Sequence, residues 1–597
     1  MIKRLLLVLV LAAAAAFAIW LGVRGGSPKI SSTTVTALLP KETVALFHVP
    51  DVREARAQWH TSDLYKLWRE PEVQAFLQKP LAAGGSSAAA SEKLQQLDAL
   101  HIRDVFLALL AGDENRQRFV GGFRFHGSHE DVERAIGDWR DRAGAGTGAG
   151  QHETVDYQGH QIAVVSEGAL KVATSYDRDW FFAANDLAAM QALLDRADGR
   201  VSDAAGALAA DDEFNGAMKH MPQRYVAFGY TRLDRYFDRL ASITADRGVK
   251  ARLDFLRRIH SAAAAISFDE GKLRDVLFVA MPKVPEQGEL TRSSLAFTTA
   301  DSFLYLAALL DFPDDSGGAA ATTKGVLSNL VPTGVTAADW KAAFGAELGL
   351  LSDWTANARM PTLLLTLPVK DGAKAREIVR GVTLGNAGED GRWTISDKAG
   401  VQYAVQAPSS PMVPVSATVA VSDQLLVAGS DPLLVEAAMS RNNGQTGGLV
   451  STAPFKTAQA AVAAPKSAFV YVDAALLYTR LDAAIRPMLV MASAFMPSLV
   501  ETIDISKLPA AETVARHLSP VVLTQSYETD GYQTASIGTV PFLGLAAATI
   551  VAANAGTDLY RRYFPSPNAS SAGSPSAPII PAPAIPPITP SPTPHGP

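Results

Sequence analysis

Short apolar runs separated by turn residues dominate the chain between about residues 40 and 540, and the runs recur in the same order roughly 240 to 260 residues later. Phe123-Arg124-Phe125 followed by His129-Glu130 matches Leu365-Thr366-Leu367 followed by Asp371-Gly372, each reading as a strand, a short turn and a helix. Tyr157-Gln158-Gly159-His160 matches Lys398-Ala399-Gly400-Val401, a hairpin turn around glycine. Trp180-Phe181-Phe182-Ala183-Ala184-Asn185-Asp186 matches Leu425-Leu426-Val427-Ala428-Gly429-Ser430-Asp431, and an Ala/Leu/Met-rich helix follows each. Pro222 with residues 225–230 matches Pro465 with residues 468–473. Opening strands at residues 44–49 and 303–309 make a fifth pair. Closing hairpins around Asp269-Glu270-Gly271 and Thr529-Asp530-Gly531 make a sixth.

These patterns predict an α+β fold made of an internally duplicated domain, residues 38–285 and 295–537. Tight turns between imperfectly alternating strands predict a largely antiparallel sheet in each half, with helices packed on one face. Asn185-Asp186 and Ser430-Asp431 fall where a strand ends and a helix begins, so their side chains are expected to accept the free N–H groups of that helix rather than to catalyse.

The two ends of the chain read differently. Residues 5–23 form an uncharged run between Lys3-Arg4 and Arg24, close to the ~20 residues that span a bilayer, with the basic residues on the side kept cytoplasmic. Residues 1–24 are therefore expected to be an uncleaved signal-anchor transmembrane helix; Ala14 to Ala16 would be the cleavage site of the alternative, a removed signal peptide. Residues 538–556 predict an apolar helix that is either a second span or a helix packed on the second half. Residues 564–597, mostly Pro, Ser and Ala, predict a disordered Pro-rich tail.

Composition narrows the function classes. At 597 residues the chain exceeds one hydrophobic core. With no cysteine it has no disulfide, thiolate metal site or Cys nucleophile. A net charge of −6 without a basic run argues against nucleic acid as a partner.

Residue constellations for chemistry are weak. His126 and His129 form the one close histidine pair, and the second half offers Pro368 and Asp371 in their place, which a shared metal site would not tolerate. Gly429-Ser430-Asp431 lacks the flanking pattern of a nucleophile elbow. The carboxylates Glu42, Asp51, Glu130, Asp156, Asp371 and Asp397 show no pairing at the sequence level. Trp59, His60, Tyr65, Trp68 and Phe76 read as a packed aromatic cluster with a helix restarting at Pro71, and Asp234, Arg235, Arg239, Arg257 and Arg258 as solvated faces of amphipathic helices. The sequence assigns no catalytic, cofactor-binding or metal-ligating residue.

Leu39-Pro40-x-x-Thr43-Val44-Ala45-Leu46-Phe47-His48-Val49-Pro50-Asp51, echoed near residues 300–309, resembles the opening of a bacterial membrane-anchored envelope family of unknown function with a duplicated α+β domain. The resemblance covers roughly residues 35–540 and implies no activity or site residues. The expectation is a non-catalytic, membrane-anchored cell-envelope protein with a binding or scaffolding role, located at the inner membrane with its body facing the periplasm or cell exterior. Its expected partners are the membrane, through the N-terminal anchor, and an envelope protein or hydrophobic ligand. The alternatives are an envelope hydrolase with a loop-assembled site and a carrier of a hydrophobic ligand.

Overall fold

A computed structural model describes residues 33–83, 100–111, 118–134, 151–167, 170–201, 204–235, 257–283, 288–309, 335–385, 393–408, 415–441, 448–495 and 504–541. The expected anchor at 1–24, the apolar helix at 538–556 beyond Pro541, and the tail at 564–597 lie outside the described residues. Among the described residues, no helix is long and apolar enough to cross a membrane.

The first half contributes strands β1 (Thr43–Val49), β2 (Val105–Leu110), β3 (Arg118–Arg124), β4 (Gln151–Tyr157), β5 (His160–Glu167), β6 (Leu170–Asp177), β7 (Trp180–Ala184), β8 (Ala227–Thr231), β9 (Ser261–Asp269) and β10 (Lys272–Ala280). The second contributes β11 (Ser302–Leu309), β12 (Glu347–Asp353), β13 (Thr362–Pro368), β14 (Trp393–Lys398), β15 (Val401–Gln406), β16 (Thr418–Val421), β17 (Leu425–Gly429), β18 (Ala468–Val472), β19 (Val521–Tyr527) and β20 (Gly531–Gly538). Every pairing is antiparallel. In the first half the strands lie side by side as β4-β5-β6-β7-β3-β2-β1-β8-β9-β10. In the second they lie as β14-β15-β16-β17-β13-β12-β11-β18-β19-β20. The two orders are the same, and β7 and β17, the strands that end at Asp186 and Asp431, hold the same place.

The halves do not stand apart. β10 pairs with β20 from Leu273↔Gly538 to Ala280↔Gly531, joining them into one continuous sheet within a single compact unit. The ladder has eight pairs, and its centre falls between Val276↔Ala535 and Leu277↔Thr534. Each half thus presents the same edge to the other, the arrangement of a two-fold contact.

Local chemistry explains the turns. Gln158 and Gly159 (φ 50° and 88°) and Ala399 and Gly400 (φ 51° and 80°) each place two successive residues in the left-handed region, the twist that a two-residue hairpin needs. Glu270 and Gly271 do the same between β9 and β10.

Helices cover both faces of the sheet, not one. In the first half α1 (Thr33–Leu38), α5 (Leu187–Ala197) and α6 (Asp212–Lys219) pack with Phe182 and Phe228; on the opposite face α2 (Val52–Thr61) brings Val52 to Phe125, Val132 and Phe181. Between them α3 (Asp63–Trp68) and α4 (Pro71–Ala83) continue from α2. In the second half α7 (Ala337–Ala343) and α8 (Gly372–Gly385) pack with Leu367 and Leu426 on one face. There α9 (Pro432–Ser440), α10 (Gly448–Ser451) and α11 (Ala453–Ala460) pack with Val427 on the other. Successive residues of a strand point to opposite faces. The unbroken runs Trp-Phe-Phe-Ala-Ala and Leu-Leu-Val-Ala are apolar throughout because both faces of β7 and β17 are covered. Phe182 and Val427, equivalent in order, are both fully buried. Gly122 on β3 is held to glycine by this packing: a Cβ there would meet a Phe182 ring carbon at 2.6 Å and the Phe181 carbonyl at 2.7 Å.

Candidate functional site

The strand-to-helix junctions act as caps. Asp186 accepts from the Ala189 N–H at 2.9 Å and Asp431 from the Leu433 N–H at 2.8 Å. Their neighbours also play matched roles: Asn185 accepts from the Phe119 N–H at 2.7 Å, Ser430 from the Leu363 N–H at 3.1 Å, each tying the helix entry to the start of the adjacent strand. Asp51 caps α2 through the Glu54 N–H at 3.0 Å, and burial pushes its carboxyl up from the usual range. Asp371 accepts from the N–H groups of Ala373 and Lys374 at the start of α8.

Sequence-level histidine and carboxylate candidates do not converge. His129 stacks on Tyr176 at 4.2 Å while His126 meets the His101 ring edge-on at 6.4 Å. Asp156 and Asp397 sit on β4 and β14, in separate halves. The aromatic group at Trp59 and Tyr65 does pack together, with ring centroids 6.0 Å apart and Trp59 buried. Of the expected solvated helix faces, Arg257 and Arg258 are exposed but not helical, and Asp234 is drawn into an ion pair. Asp234 takes two hydrogen bonds from the Arg232 guanidinium, which is largely buried and also reaches Asp211. Arg257 and Arg258 occupy a turn, since the ladder already holds His260 N–H on the Ala280 carbonyl and begins β9 at Ser261.

A buried polar chain that local pattern did not reveal runs through the first half. His48 on β1 lies with Nε2 2.8 Å from Asp104 Oδ1 and Nδ1 3.3 Å from the Tyr225 hydroxyl. His48 is 1% and Asp104 3% exposed. In the second half the register places Ala307 opposite Phe469, as His48 is opposite Phe228, and Glu347 stands where Asp104 does. Glu347 instead accepts the N–H groups of Thr291, Arg292 and Ser293. An acid at this strand start pins the adjacent segment in both halves, and the sealed His48 ring offers no approach to a substrate.

The surface feature that departs most from a packed domain is α12 (Ala474–Phe495), which follows β18. Asp473 receives its first turn through the Leu476 N–H at 2.9 Å. Arg480 donates to the Trp354 carbonyl and pairs with Asp301; Arg486 makes a two-pronged pair with Asp482 and donates to the carbonyls of Leu508 and Pro509. α13 (Ala511–Ala515) packs beside it. These bonds clamp one side of α12 to the body. Leu481, Ile485, Met488 and Met491 are exposed along one broad face, with Met488 61% and Met491 62% exposed, and Val490, half-way round the helix from Leu481, is 57% exposed as well. Pro487 removes one N–H from the middle of the helix, a position where helices bend.

No protein-family model and no curated protein matches the chain. Among solved structures, crystal form I of TP0453 is similar over 42% of this chain and 80% of that one, at 7% identity and a TM-score of 0.22. Crystal form III of TP0453 is similar over 44% and 83%, at 7% identity and a TM-score of 0.23. Likeness at this level carries no conclusion about this chain.

Proposed function

We propose that this chain is a non-catalytic cell-envelope protein, held at the inner membrane by residues 1–24, whose body is a tandem duplication and whose α12 lays its apolar face on the bilayer. The observation that carries the reading is the row Leu481, Ile485, Met488 and Met491, 39% to 62% exposed on a helix whose Arg480 and Arg486 are fastened to the body. Fully burying such a side chain is worth about 1.5–3 kcal/mol, so four in a row favour a nonaqueous contact. Arg480, Asp482 and Arg486 keep the helix from crossing, so an exposed apolar helix that carries them lies along the interface. Residues 25–32 separate the expected anchor from α1, and even fully extended they reach only about 28 Å, which holds the body close to the lipid.

The duplication rests on the shared strand order together with matched turns and caps. A binding rather than catalytic role is supported by where the halves agree: apolar, turn and cap residues correspond, while polar ones such as His48 and Ala307 do not.

With no native cysteine, single-site labelling is clean. Full-length protein in phospholipid vesicles is labelled with an environment-sensitive fluorophore at Met488→Cys or, as a control, at Leu433→Cys on α9, where Leu433 is 75% exposed. Quenching by lipid-borne nitroxide at 488 but not at 433 is expected. Equal quenching of both by a water-soluble agent would sink the proposal.

A further inference from the structure

In the first half, three side chains converge where β5 begins, β6 ends and α5 stops. His160 follows the Gln158-Gly159 turn directly, and Asp177 is the last residue of β6. The register pairs Ile162 with Ser175, so two residues further along each strand His160 and Asp177 stand opposite one another on the same face. That face packs against α5, whose C-cap residue is Asp198. The result brings a His nitrogen and one oxygen of each carboxylate within 4.8 Å of one another.

We infer that His160, Asp177 and Asp198 form a binding site for a divalent transition-metal ion of the zinc type. The donor set fits that class, since one imidazole nitrogen and two carboxylate oxygens with no thiolate suit a borderline ion such as Zn²⁺.

Each ligand is prepared separately. His160 Nε2 lies 2.7 Å from Asp198 Oδ2 and Nδ1 3.4 Å from the Tyr176 carbonyl, so the ring is held with Nε2 toward the carboxylates; in the tautomer that an ion on Nε2 would select, Nδ1 donates to that carbonyl, the outer contact typical of ligating histidines. Asp198 closes a helix end, where the backbone carbonyls carry partial negative charge and favour a cation. Its contacts with His160 and Arg200 both use Oδ2, leaving Oδ1 for the ion. Arg200 keeps a second hold on Asp195 through Nε at 2.8 Å and need not leave when the ion arrives.

Asp177 supplies the independent argument. It is 8% exposed, and among the described residues no hydrogen bond or ion pair reaches its side chain. Its oxygens are not among the fully enclosed polar atoms, so an ion can reach them, and a shared cation offsets the repulsion between Asp177 and the second carboxylate.

The second half is an internal comparison. Val401 follows the Ala399-Gly400 turn as His160 follows its own, and Ser422 precedes Leu425 by three residues as Asp177 precedes Trp180. The same strands, turn and helix form there without any of these ligands. The cluster is therefore not something the fold requires.

The test is Zn²⁺ titration of the full-length, detergent-solubilised chain by calorimetry, with Co²⁺ absorption bands as a second readout of His and carboxylate coordination. One ion per chain is expected. Asp177→Ser, which installs the residue the second half carries, and His160→Gln are expected to weaken binding at least ten-fold with unchanged far-UV circular dichroism. Asp269→Asn, an exposed acid paired with Arg274, is the control and should bind as the parent does. Absence of saturable uptake by the parent, or undiminished affinity in Asp177→Ser, overturns the assignment. If Asp177→Ser does not fold, His160→Gln decides by the same criteria.

Discussion

The Ser536 hydroxyl donates to the Asp275 carboxylate across the line where the two halves of the sheet meet. The two residues are direct partners in the β10–β20 ladder, 2% and 3% exposed, close to its centre. A charged acceptor placed at a seam between strands is a liability unless a donor faces it, and the partner strand supplies that donor.

Ser536→Ala removes this hydrogen bond while leaving the ladder's backbone bonds intact. A hydrogen bond to a buried charged group contributes about 1.5–3 kcal/mol. Urea unfolding of the variant is expected to show a loss of that size with an unchanged denaturant slope. A loss below about 0.5 kcal/mol would mean that the seam does not depend on this pair.

The caps provide a matched experiment in the two halves. Asp186→Ala and Asp431→Ala each free one N–H at the start of α5 or α9, and each is expected to cost about 1 kcal/mol. Thermal denaturation of the two variants would test this. An effect confined to one half would show that the two junctions, alike in geometry, are not alike in energy.

Ala399 occupies a left-handed conformation with φ 51°, which costs an L-residue with a Cβ roughly 1–2 kcal/mol and suits asparagine better. Ala399→Asn is expected to stabilise the fold by several tenths to about 1 kcal/mol, read as a raised denaturation midpoint. A lowered midpoint would contradict the two-residue turn.

Glu70 at the end of α3 meets Arg516 and His517 of the other half, both at 2.6 Å. The hydrogen bond from Arg516, then that from His517, holds its carboxyl below the usual glutamate range. A carboxylate whose folded pKa is depressed contributes stability above its unfolded pKa, about 4.3, and loses it as pH falls through the folded value. The parent should therefore lose more melting temperature between about pH 6 and pH 3 than Glu70→Gln does. Identical losses would remove Glu70 from the account of acid sensitivity.

What the sequence determined by itself is local and repeated. The glycine turns at 158–159 and 399–400, the caps at Asp186 and Asp431, and the apolar runs of β7 and β17 were legible because turn geometry, capping and strand formation depend on neighbours a few residues away. Only the tertiary structure decided which strand lies beside which. A strand edge carries the same N–H and C=O groups whatever its sequence, so nothing local announces that β10 will take β20 as its partner and make two halves into one sheet. The covering of both faces was present in the unbroken runs but could not be separated from one-sided burial without the helices in place. The same distance rule hid the polar groups: His48 and Asp104 are 56 residues apart, and His160, Asp177 and Asp198 come from two strands and a helix end that only folding brings together. α12 belongs with these: local pattern does not say whether its apolar residues line the core, and that Met488 and Met491 face water while Arg480 and Arg486 hold the body was decided by packing.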